Sequence, residues 1–474
     1  VIIGEKAKVA DPDCHVVDIP FTRFATELGN PIYTSTVAVG VVLGMLKADE
    51  KILHEFLREF FARKGEEVVA KNIEAAKKGY THGTHICFLE GIEIAVPRKK
   101  NDSLELLLDG AEAVGLGALQ AGCNFISSYP MSPGTPLLNF LAKHGGAMRV
   151  VVDQAEDEIA AINMAIGAWY GGARAIVTTS GGGFALMCEG VSLAGMIETP
   201  VVIHIGQRPG PATGLPTRTE QADLNLVLYA GHGEFPRAIY APGTLSEAFM
   251  VTQEAFRVAD KYQIPVFILM DQYLIDSIAV ISEKDLEKLP VVQHIVETKE
   301  DYQRYALSKN GISPRGIPGY GTGLVGVDSD EHDEAAHITE SAEVRLAMHG
   351  KRLKKFEGLA KESLPPVVSG NPKKAKTVVV TWGSNFGVVE EALDKLQDEY
   401  FMHVHFPQVY PLPESGKKLL SKTKRIVVIE NNVAGQFANL LQQEYGIVIK
   451  ERILQYDGNP FAVEDVMKKL QKLI

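Results

Sequence analysis

The sequence predicts a multi-domain α/β protein with open, mostly parallel sheets. Apolar, β-branched runs at residues 150–152, 175–179 and 201–206 alternate with longer helical stretches, which is the pattern of βαβ units. Two of these runs leave into loops rich in glycine and proline, at 180–183 and 207–216. The 474 residues, 46% of them hydrophobic and 23% charged, are enough for roughly two to four globular domains.

Composition excludes several classes of protein. The net charge of −11 and the lack of a basic stripe with interleaved aromatic residues argue against nucleic-acid binding. No apolar run is long enough to cross a bilayer, and no signal-peptide pattern opens the chain. Four scattered cysteines (Cys14, Cys87, Cys123 and Cys188) fit a reducing cytoplasm and lack the spacing of an iron–sulfur or zinc site. Because the first residue is Val1, we expect a further N-terminal portion to precede it.

Residues 1–95 are expected to form part of a small α/β domain and its linker. A strand is predicted at 15–19, and helices are predicted at 30–45, 47–63 and 66–80. The first of these helices is rich in Gly, Ala and Val, which allows close packing on its neighbours. Residues 81–102 are predicted to be a linker.

A second domain is predicted at residues 96–290. Ser103 is expected to cap a helix that continues to residue 122, and a buried strand follows at 124–128. The next segment, YPMSPGTP at 129–136, carries too many prolines to continue a strand or helix, so it is predicted to be a rigid loop. Ligands bind at this end of the strands in an open α/β sheet. The pattern is also that of an ordinary strand-to-helix turn, with Thr135 as a cap and Pro136 in the first helical position, and both interpretations can hold at once.

The stretch at residues 150–183 organises this domain. It predicts a strand, an acidic turn at 154–158, a helix at 159–170, a second strand at 175–179 and a Gly-rich turn at 180–183. Glu158 is unusual because it opens an almost wholly apolar helix. A favourable interaction with the helix dipole is one explanation for this carboxylate, and a role in a site is the other.

A long loop, QRPGPATGLPTRTEQADL at 207–224, follows the strand at 201–206. Arg208 stands at the end of the strand, where a guanidinium group can bind a carboxylate with two hydrogen bonds. A solvated arginine on a surface loop is the alternative interpretation.

The remaining chain is predicted to contain two parts. Residues 291–372 form an irregular connecting segment with an acidic cluster at 328–334 and a basic helix near 351–355. The acidic cluster lacks the spacing of a calcium loop, so it is interpreted as a solvated loop. Residues 373–474 form a further open α/β domain with strands at 377–381, 404–406 and 425–430.

Several motifs occur in one order along the chain. They are YPMSPGTP, a helix with Glu158 and Gly167 nine positions apart, TTSGGG, QRPGPATGLPTRTEQADL, GHGEFPR, the ISPR…EHDE segment and ENNVAGQFANLL…YDGNPF. Together they resemble the alpha subunit of 2-oxoacid:ferredoxin oxidoreductases. Residues 1–95 resemble the end of a gamma domain fused ahead of alpha, as in 2-oxoglutarate-type enzymes. The resemblance implies a pyrimidine-type thiamine-diphosphate domain at 96–290 and a transketolase C-terminal-like domain at 373–474.

The resemblance also implies the residues of a thiamine diphosphate site. Glu158 is then the catalytic residue, because its carboxylate hydrogen-bonds and activates the aminopyrimidine ring of the cofactor. Tyr129 and Pro130 are implied to contact the same cofactor.

Three further residues are implied to bind the 2-oxoacid, namely Ser132, Arg208 and Thr217. Ser132 stands where the usual Y-P-I-T-P-S motif has Thr, and Gly134 stands where it has Ser. Both replacements are smaller, so we expect them to widen the pocket and to affect the choice of substrate.

The implied reaction is the oxidative decarboxylation of a 2-oxoacid, with 2-oxoglutarate as the first choice, to acyl-CoA and CO₂ with reduction of ferredoxin. The chain lacks the G-D-G…N-N signature that holds diphosphate and Mg²⁺, and it lacks cluster cysteines. The resemblance places Mg²⁺ and a 4Fe–4S cluster on a beta subunit, in an (αβ)₂ assembly, with coenzyme A as co-substrate. The alternatives are pyruvate, a branched-chain 2-oxoacid or an aryl pyruvate as substrate, a transketolase-class enzyme, and a non-catalytic scaffold subunit.

Overall fold

The computed structural model describes residues 2–9, 15–92, 94, 96, 104–372, 374–397 and 399–474. The chain divides into two compact units, Val1–Asp102 and Ser103–Ile474. Most strand pairs within them are parallel, so the predicted α/β class is confirmed. Ser103, the predicted helix cap, and Cys14 lie outside the described residues. Within the described ranges, no helix is both long and apolar enough to span a membrane.

In its described residues, the first unit combines a two-stranded parallel sheet with four α-helices. Its elements are β1 (Ile2–Gly4), β2 (Val16–Asp18), α1 (Phe21–Glu27), α2 (Thr34–Met45), α3 (Glu50–Phe61) and α4 (Glu66–Glu90).

Helices α2 and α4 pack closely through glycines on both helices. A Cβ at Gly40 of α2 would overlap with the carbonyl oxygen of Ala76, and a Cβ at Gly83 of α4 would overlap with that of Val41. The linker predicted from residue 81 is therefore wrong up to Glu90, where α4 ends. Glycine is a poor helix former, but here the close contact with α2 outweighs its low propensity.

Gly83→Ala is expected to destabilise the first unit by about 1–3 kcal/mol, because the added methyl group must push two helix backbones apart. Chemical denaturation monitored by circular dichroism measures the change. Gly4→Ala is the matched control, since a Cβ there meets no atom within 4 Å. Equal stability of the two variants would contradict the close packing of α2 and α4.

The second unit contains a seven-stranded sheet in the order β14-β8-β9-β7-β6-β4-β5, which is parallel except at the edge strand β14 (Gln408–Tyr410). Its first elements are β3 (Glu105–Asp109), α5 (Gly110–Gln120), β4 (Phe125–Ser128), α6 (Thr135–Met148), β5 (Val151–Gln154), α7 (Glu158–Tyr170), β6 (Ala175–Ser180) and α8 (Gly181–Met196). They are followed by β7 (Val201–Gln207), α9 (Leu224–Leu228), β8 (Ala238–Tyr240), α10 (Leu245–Tyr262), β9 (Pro265–Asp271), α11 (Gln272–Asp276) and β10 (Ile278–Ser282).

Strand β3 replaces the helical start that the sequence predicts at Ser103. It pairs antiparallel with β10, and Leu107 lies opposite Val280. Leu108 is buried whereas Leu107 is 67% exposed, which is the two-residue alternation of a strand. Helix α5 begins only after Asp109, whose carboxylate accepts a hydrogen bond from the backbone N–H of Glu112 in a capping box.

Residues 283–341 contain no α-helix or β-strand in the structure, but buried ion pairs anchor this segment and helix α12 (Ala342–Lys361). Arg315 of the segment lies 2.5 Å from Asp260 of α10. Lys351 and Lys355 of α12 lie 2.6 and 2.5 Å from Glu198. The predicted basic helix therefore exists, and two of its lysines are buried rather than solvated.

The C-terminal region forms a five-stranded sheet in the order β11-β13-β12-β15-β16, with β11 antiparallel at one edge. Its elements are β11 (Val367–Gly370), β12 (Thr377–Trp382), α13 (Asn385–Leu396), β13 (Phe401–Phe406), β14 (Gln408–Tyr410), α14 (Glu414–Leu420), β15 (Ile426–Glu430), α15 (Gln436–Tyr445), β16 (Glu451–Leu454) and α16 (Val463–Gln471). Strand β14 leaves this region and joins the edge of the seven-stranded sheet, which links the two sheets.

Candidate active site

Glu158 is the first residue of α7, and only 3% of it is exposed. The cap of this helix is the preceding residue, Asp157, whose carboxylate accepts a hydrogen bond of 2.7 Å from the backbone N–H of Ala160. Oε1 of Glu158 is buried and has no hydrogen-bond partner among the described residues. Because a buried polar atom without a partner is costly, the helix dipole alone does not account for this carboxylate.

The N-terminus of α8 faces this carboxylate. Residues 181–183, predicted as a turn, are the first turn of α8. Glycine is needed there because a Cβ at Gly183 would overlap with Oε1 of Glu158, and a Cβ at Gly181 would overlap with the carboxylate of Asp223. Ser180 precedes the helix without capping it, and its Oγ is also buried and unpaired in the described chain. These two oxygen atoms without partners lie at a helix end whose N–H groups attract negative charge.

Asp223 is a candidate residue that the sequence did not reveal. Burial raises the pKa of its carboxyl group to about 7, Glu220 adds to the rise and Arg208 opposes it. Asp223 precedes the apolar helix α9, so its pattern is that of an ordinary helix cap. In the structure its side chain makes no capping hydrogen bond, and Oδ2 is buried without a partner among the described atoms.

The raised pKa of Asp223 predicts that anion binding at Arg208 depends on pH. Its carboxyl group gains its negative charge as the pH rises through about 7, and that charge would oppose the binding of an anion by Arg208. We expect KM for an anionic substrate held by Arg208 to rise at least roughly fivefold as the pH passes upward through about 7, because two charges at roughly 4 Å interact by about 1 kcal/mol in water and by more in a less polar site. Asp223→Asn should remove this rise in a KM–pH profile, and an unchanged profile would contradict it.

Arg208 directly follows β7 and contacts a second predicted site residue. Its Nη1 donates a hydrogen bond of 2.6 Å to the carbonyl oxygen of Ser132. A guanidinium group has five N–H donors, so others remain to bind a carboxylate. Tyr129 and Pro130 begin the same loop as Ser132, immediately after β4. The structure therefore brings Arg208 to the 129–134 loop at the carboxyl end of the parallel strands, as the sequence predicts.

Gly134 does not widen a pocket, contrary to expectation. A Cβ at this position would lie 2.8 Å from Oγ1 of Thr178 and 2.8 Å from the carbonyl oxygen of Thr179, so it would require a shift of backbone. The missing side chain allows the 129–134 loop to pack directly on β6. Ser132, by contrast, is exposed, and its hydroxyl remains a candidate substrate contact.

Thr217 lies apart from the other predicted site residues. It is exposed and lines a cavity of about 240 Å³ together with Tyr273 of α11 and Pro460 of the C-terminal region. Neither Glu158 nor Arg208 lines that cavity. Arg208 thus hydrogen-bonds to Ser132, and the carboxylate of Glu158 lies beside the first turn of α8. Thr217 contacts none of these residues in the structure.

The residues present fit one part of a thiamine diphosphate site. The buried, unpaired Oε1 of Glu158 matches a carboxylate that hydrogen-bonds the pyrimidine ring, and the glycines of α8 keep the space before it free of side chains. Among the described residues, no group of three or more His, Cys, Asp or Glu side chains could hold a metal ion.

Comparisons with known proteins agree on one family. The model for "Pyruvate flavodoxin/ferredoxin oxidoreductase, thiamine diP-bdg" matches residues 116–351, and that for "Pyruvate ferredoxin/flavodoxin oxidoreductase" matches residues 1–82. The 2-oxoacid:ferredoxin oxidoreductase subunit alpha of Saccharolobus solfataricus is 38% identical over 405 residues, 80% of this chain and 63% of that relative. The 2-oxoglutarate synthase subunit KorA of Methanocaldococcus jannaschii is 32% identical over 340 residues, 69% of this chain and 88% of that relative.

A solved structure is similar over almost the whole chain. It is the 2-oxoglutarate:ferredoxin oxidoreductase from Magnetococcus marinus, with 2-oxoglutarate, coenzyme A and succinyl-CoA bound, at 30% identity and a TM-score of 0.90. The similarity covers 99% of this chain and 83% of that one. This chain spans 61% to 63% of the length of three curated alpha-subunit relatives. The resemblance drawn from the motifs is confirmed, and the chain belongs to the 2-oxoacid:ferredoxin oxidoreductase alpha-subunit family.

Proposed function

We propose that this chain acts as the alpha subunit of a CoA-acylating 2-oxoacid:ferredoxin oxidoreductase. In this reaction a 2-oxoacid and coenzyme A give acyl-CoA, CO₂ and a proton, while two electrons pass singly to ferredoxin. One observation carries the proposal: Glu158, Ser180 and Asp223 surround the glycine turn of α8 with buried oxygen atoms that lack partners in the described chain. Such a place suits a polar ligand that supplies the missing hydrogen bonds.

Each proposed residue has a distinct role. Glu158 would share a proton at Oε1 with a ring nitrogen of thiamine diphosphate. When bound, that cofactor supplies the nucleophile for the 2-oxo carbon and accepts the electron pair as CO₂ leaves. Arg208 would hold the carboxylate of the 2-oxoacid, with Ser132 and Thr217 as further substrate contacts.

The cofactor would be completed by a partner. Tyr129 and Pro130, at the end of β4, would contact thiamine diphosphate from this chain. A beta subunit would supply the Mg²⁺–diphosphate site and the 4Fe–4S cluster, in an (αβ)₂ complex that reduces ferredoxin. The lack of a G-D-G signature in the sequence supports this division.

We also propose a cytoplasmic location. The described cysteines Cys87, Cys123 and Cys188 are free, which suits a reducing compartment.

We also propose a domain division and a substrate. The four parts would be a gamma-like domain with its linker (1–95), the pyrimidine-type domain (96–290), a connecting segment (291–372) and the C-terminal domain (373–474). The proposed substrate is 2-oxoglutarate, because the similar Magnetococcus marinus structure contains 2-oxoglutarate and succinyl-CoA. The Methanocaldococcus jannaschii relative is also named as a 2-oxoglutarate synthase subunit.

The test is an anaerobic assay of the chain purified with its partner from the native host. We expect 2-oxoglutarate-dependent and CoA-dependent reduction of a viologen dye, and little binding of thiamine diphosphate by the isolated chain in calorimetry. Activity only with pyruvate, a branched-chain or an aryl 2-oxoacid would keep the chemistry and replace the substrate. A complex without iron–sulfur clusters would favour a transketolase-class enzyme. No turnover of any 2-oxoacid by a complex with intact clusters would refute the proposal.

A further inference from the structure

We propose that Gln221 is a positioning residue that fixes the loop carrying Arg208 and Thr217 onto the C-terminal sheet. We call residues 208–223 the active-site loop. The inference rests on the proposed function, because that function assigns Arg208 and Thr217 to the binding of the 2-oxoacid. Gln221 itself would touch neither substrate nor cofactor.

The active-site loop has little support from its own residues. Every residue from 210 to 218 is exposed. Within the loop, the backbone N–H of Leu215 donates to the carbonyl oxygen of Pro209 at 3.0 Å, and that of Arg218 donates to the carbonyl oxygen of Leu215 at 3.1 Å. At its base, the N–H of Asp223 donates to Oε1 of Gln207 at 3.2 Å. An exposed loop of this length loses much conformational entropy when it is ordered, so its position must be fixed by contacts elsewhere.

Thr219 supplies one anchor, since its backbone N–H donates to the carbonyl oxygen of Gly458 at 3.1 Å and its Oγ1 donates to Oδ1 of Asp271 at 3.1 Å. Gln221 supplies the larger set of contacts, and it is 0% exposed. Its Nε2 donates to the carbonyl oxygen of Trp382 at 3.0 Å. Its Oε1 accepts from Nδ2 of Asn385 at 2.8 Å and from the backbone N–H of Asn431 at 3.0 Å. The backbone N–H of Gln221 donates to the carbonyl oxygen of Asn431 at 2.7 Å, and its carbonyl oxygen accepts from Nδ2 of Asn432 at 3.1 Å. Every polar group of this residue is thus bound by the C-terminal region.

These partners stand at one edge of the C-terminal sheet. Trp382 ends β12, and Asn431 follows the end of its parallel neighbour β15. Gly383, with a φ of 60°, leaves the space for Gln221, because a Cβ there would overlap with Nε2 of Gln221. The carboxyl edge of parallel strands is where open α/β sheets bind ligands. Here that edge binds the active-site loop of the same chain.

The ENNVAGQ motif at 430–436 builds this edge. Glu430 is 0% exposed, and its Oε2 accepts from Nδ2 of Asn432 at 2.8 Å and from the backbone N–H of Phe437 at 2.9 Å. Asn432 is thereby oriented toward Gln221. Gln436 also contacts the loop, since its Nε2 donates to the carbonyl oxygen of Ala222 at 2.7 Å. The motif therefore supports the active-site loop through Gln221 and Ala222, and these contacts do not include Glu158 or Arg208.

The test compares variants in the purified complex with its partner. Gln221→Met keeps the length of the side chain and removes both polar atoms. We expect kcat/KM for 2-oxoglutarate to fall about 10- to 100-fold, the loss that follows a displacement of roughly 1 Å in a positioning group. Tyr229→Phe is the matched control, because it removes a hydrogen bond of 3.2 Å to Gln443 between the same two regions but outside the loop. Its kcat/KM should equal that of the unmodified complex.

A double-mutant cycle separates positioning from general stability. If Gln221 acts through Arg208, Gln221→Met should cause little further loss in a protein that already carries Arg208→Ala. Losses that multiply in the double variant would overturn the inference. Full kcat/KM in Gln221→Met would also overturn it while Arg208→Ala remains impaired, and the proposed function would stand. Absence of 2-oxoacid turnover in the unmodified complex would instead refute the proposed function.

Gln221→Glu provides a second test if the Gln221→Met variant fails to assemble with its partner. The introduced carboxyl group can donate to the carbonyl oxygen of Trp382 only when it is protonated. The ratio of its kcat/KM to that of the unmodified complex should therefore rise as the pH is lowered. A ratio that stays constant with pH would show that the hydrogen bond to Trp382 does not position the loop.

Discussion

Glu158→Gln is expected to lower kcat of the complex by about 10²- to 10⁴-fold, the usual contribution of a group that transfers a proton during catalysis. The amide has the shape of the carboxyl group and one acceptor oxygen, but it has no ionisable O–H and cannot share a proton with a ring nitrogen of the cofactor. Steady-state rates with 2-oxoglutarate measure the effect. The thiamine diphosphate retained by the variant should be measured on the same sample, so that a loss of cofactor is not mistaken for a loss of proton transfer.

The expected size follows from the surroundings of Glu158. Its Oε1 is buried without a partner among the described residues, and the glycine turn of α8 lies directly before it. Water does not compete for this oxygen atom, so a hydrogen bond to a ligand there is stronger than one at the surface. Glu156→Gln is the matched control, because Glu156 lies two residues earlier in the same acidic turn and is exposed. Its kcat should remain unchanged.

The opposite outcome would also be informative. If Glu158→Gln retains most of the activity and its full content of thiamine diphosphate, the carboxylate does not transfer a proton. In that case the non-catalytic scaffold becomes the better description of this chain. If both Glu158→Gln and Glu156→Gln lose activity equally, the acidic turn as a whole supports the assembly with the partner, and the specific role of Glu158 is refuted.

Much of the fold could be predicted because the central strands are buried on both faces. Strands β6, β7 and β9 therefore appear in the sequence as short, continuous apolar runs between helices. The sequence predicts the wrong local structure where tertiary contacts decide it. Strand β3 is Leu-rich and has a helical composition, but its pairing with β10 makes it a strand. Residues 181–183 have the composition of a turn, but the close approach of Glu158 and Asp223 requires glycine in a helix.

The candidate site was predictable in part for a similar reason. Arg208 and the 129–134 loop follow buried strands, and residues at the carboxyl ends of parallel strands meet at one edge. The contact between Arg208 and Ser132 agrees with this. Asp223 and Gln221 could not be found in this way, because both stand in a polar loop where buried and solvated residues have the same local pattern. The partner of Gln221, Asn431, lies more than two hundred residues further along the chain, and only the folded structure brings them together.

Arg208→Ala is expected to lower kcat/KM for 2-oxoglutarate about 10- to 150-fold. This corresponds to an increase of roughly 1.5–3 kcal/mol in the activation free energy, through the loss of a charge-assisted hydrogen bond. The variant also loses the hydrogen bond of Nη1 to the carbonyl oxygen of Ser132, which ties the active-site loop to the 129–134 loop. Arg208→Lys restores the positive charge but not the planar fork of donors, so it should recover only part of the loss.

Arg218→Ala is the control for a general loss of positive charge from the active-site loop. Arg218 is exposed, and its Nη1 donates to Oδ1 of Asn459 at 3.3 Å. An equal loss in Arg208→Ala and Arg218→Ala would mean that the loop attracts the anionic substrate by its total charge. A loss that occurs in Arg208→Ala and not in Arg218→Ala identifies a direct contact with the substrate. Most of this loss should be an increase in KM, and the increase should be similar at low and high ionic strength, because salt screens a direct ion pair much less than a distant charge. Unchanged kcat/KM in Arg208→Ala would remove this residue from the substrate site, and it would leave the hydrogen bond to Ser132 as its only function.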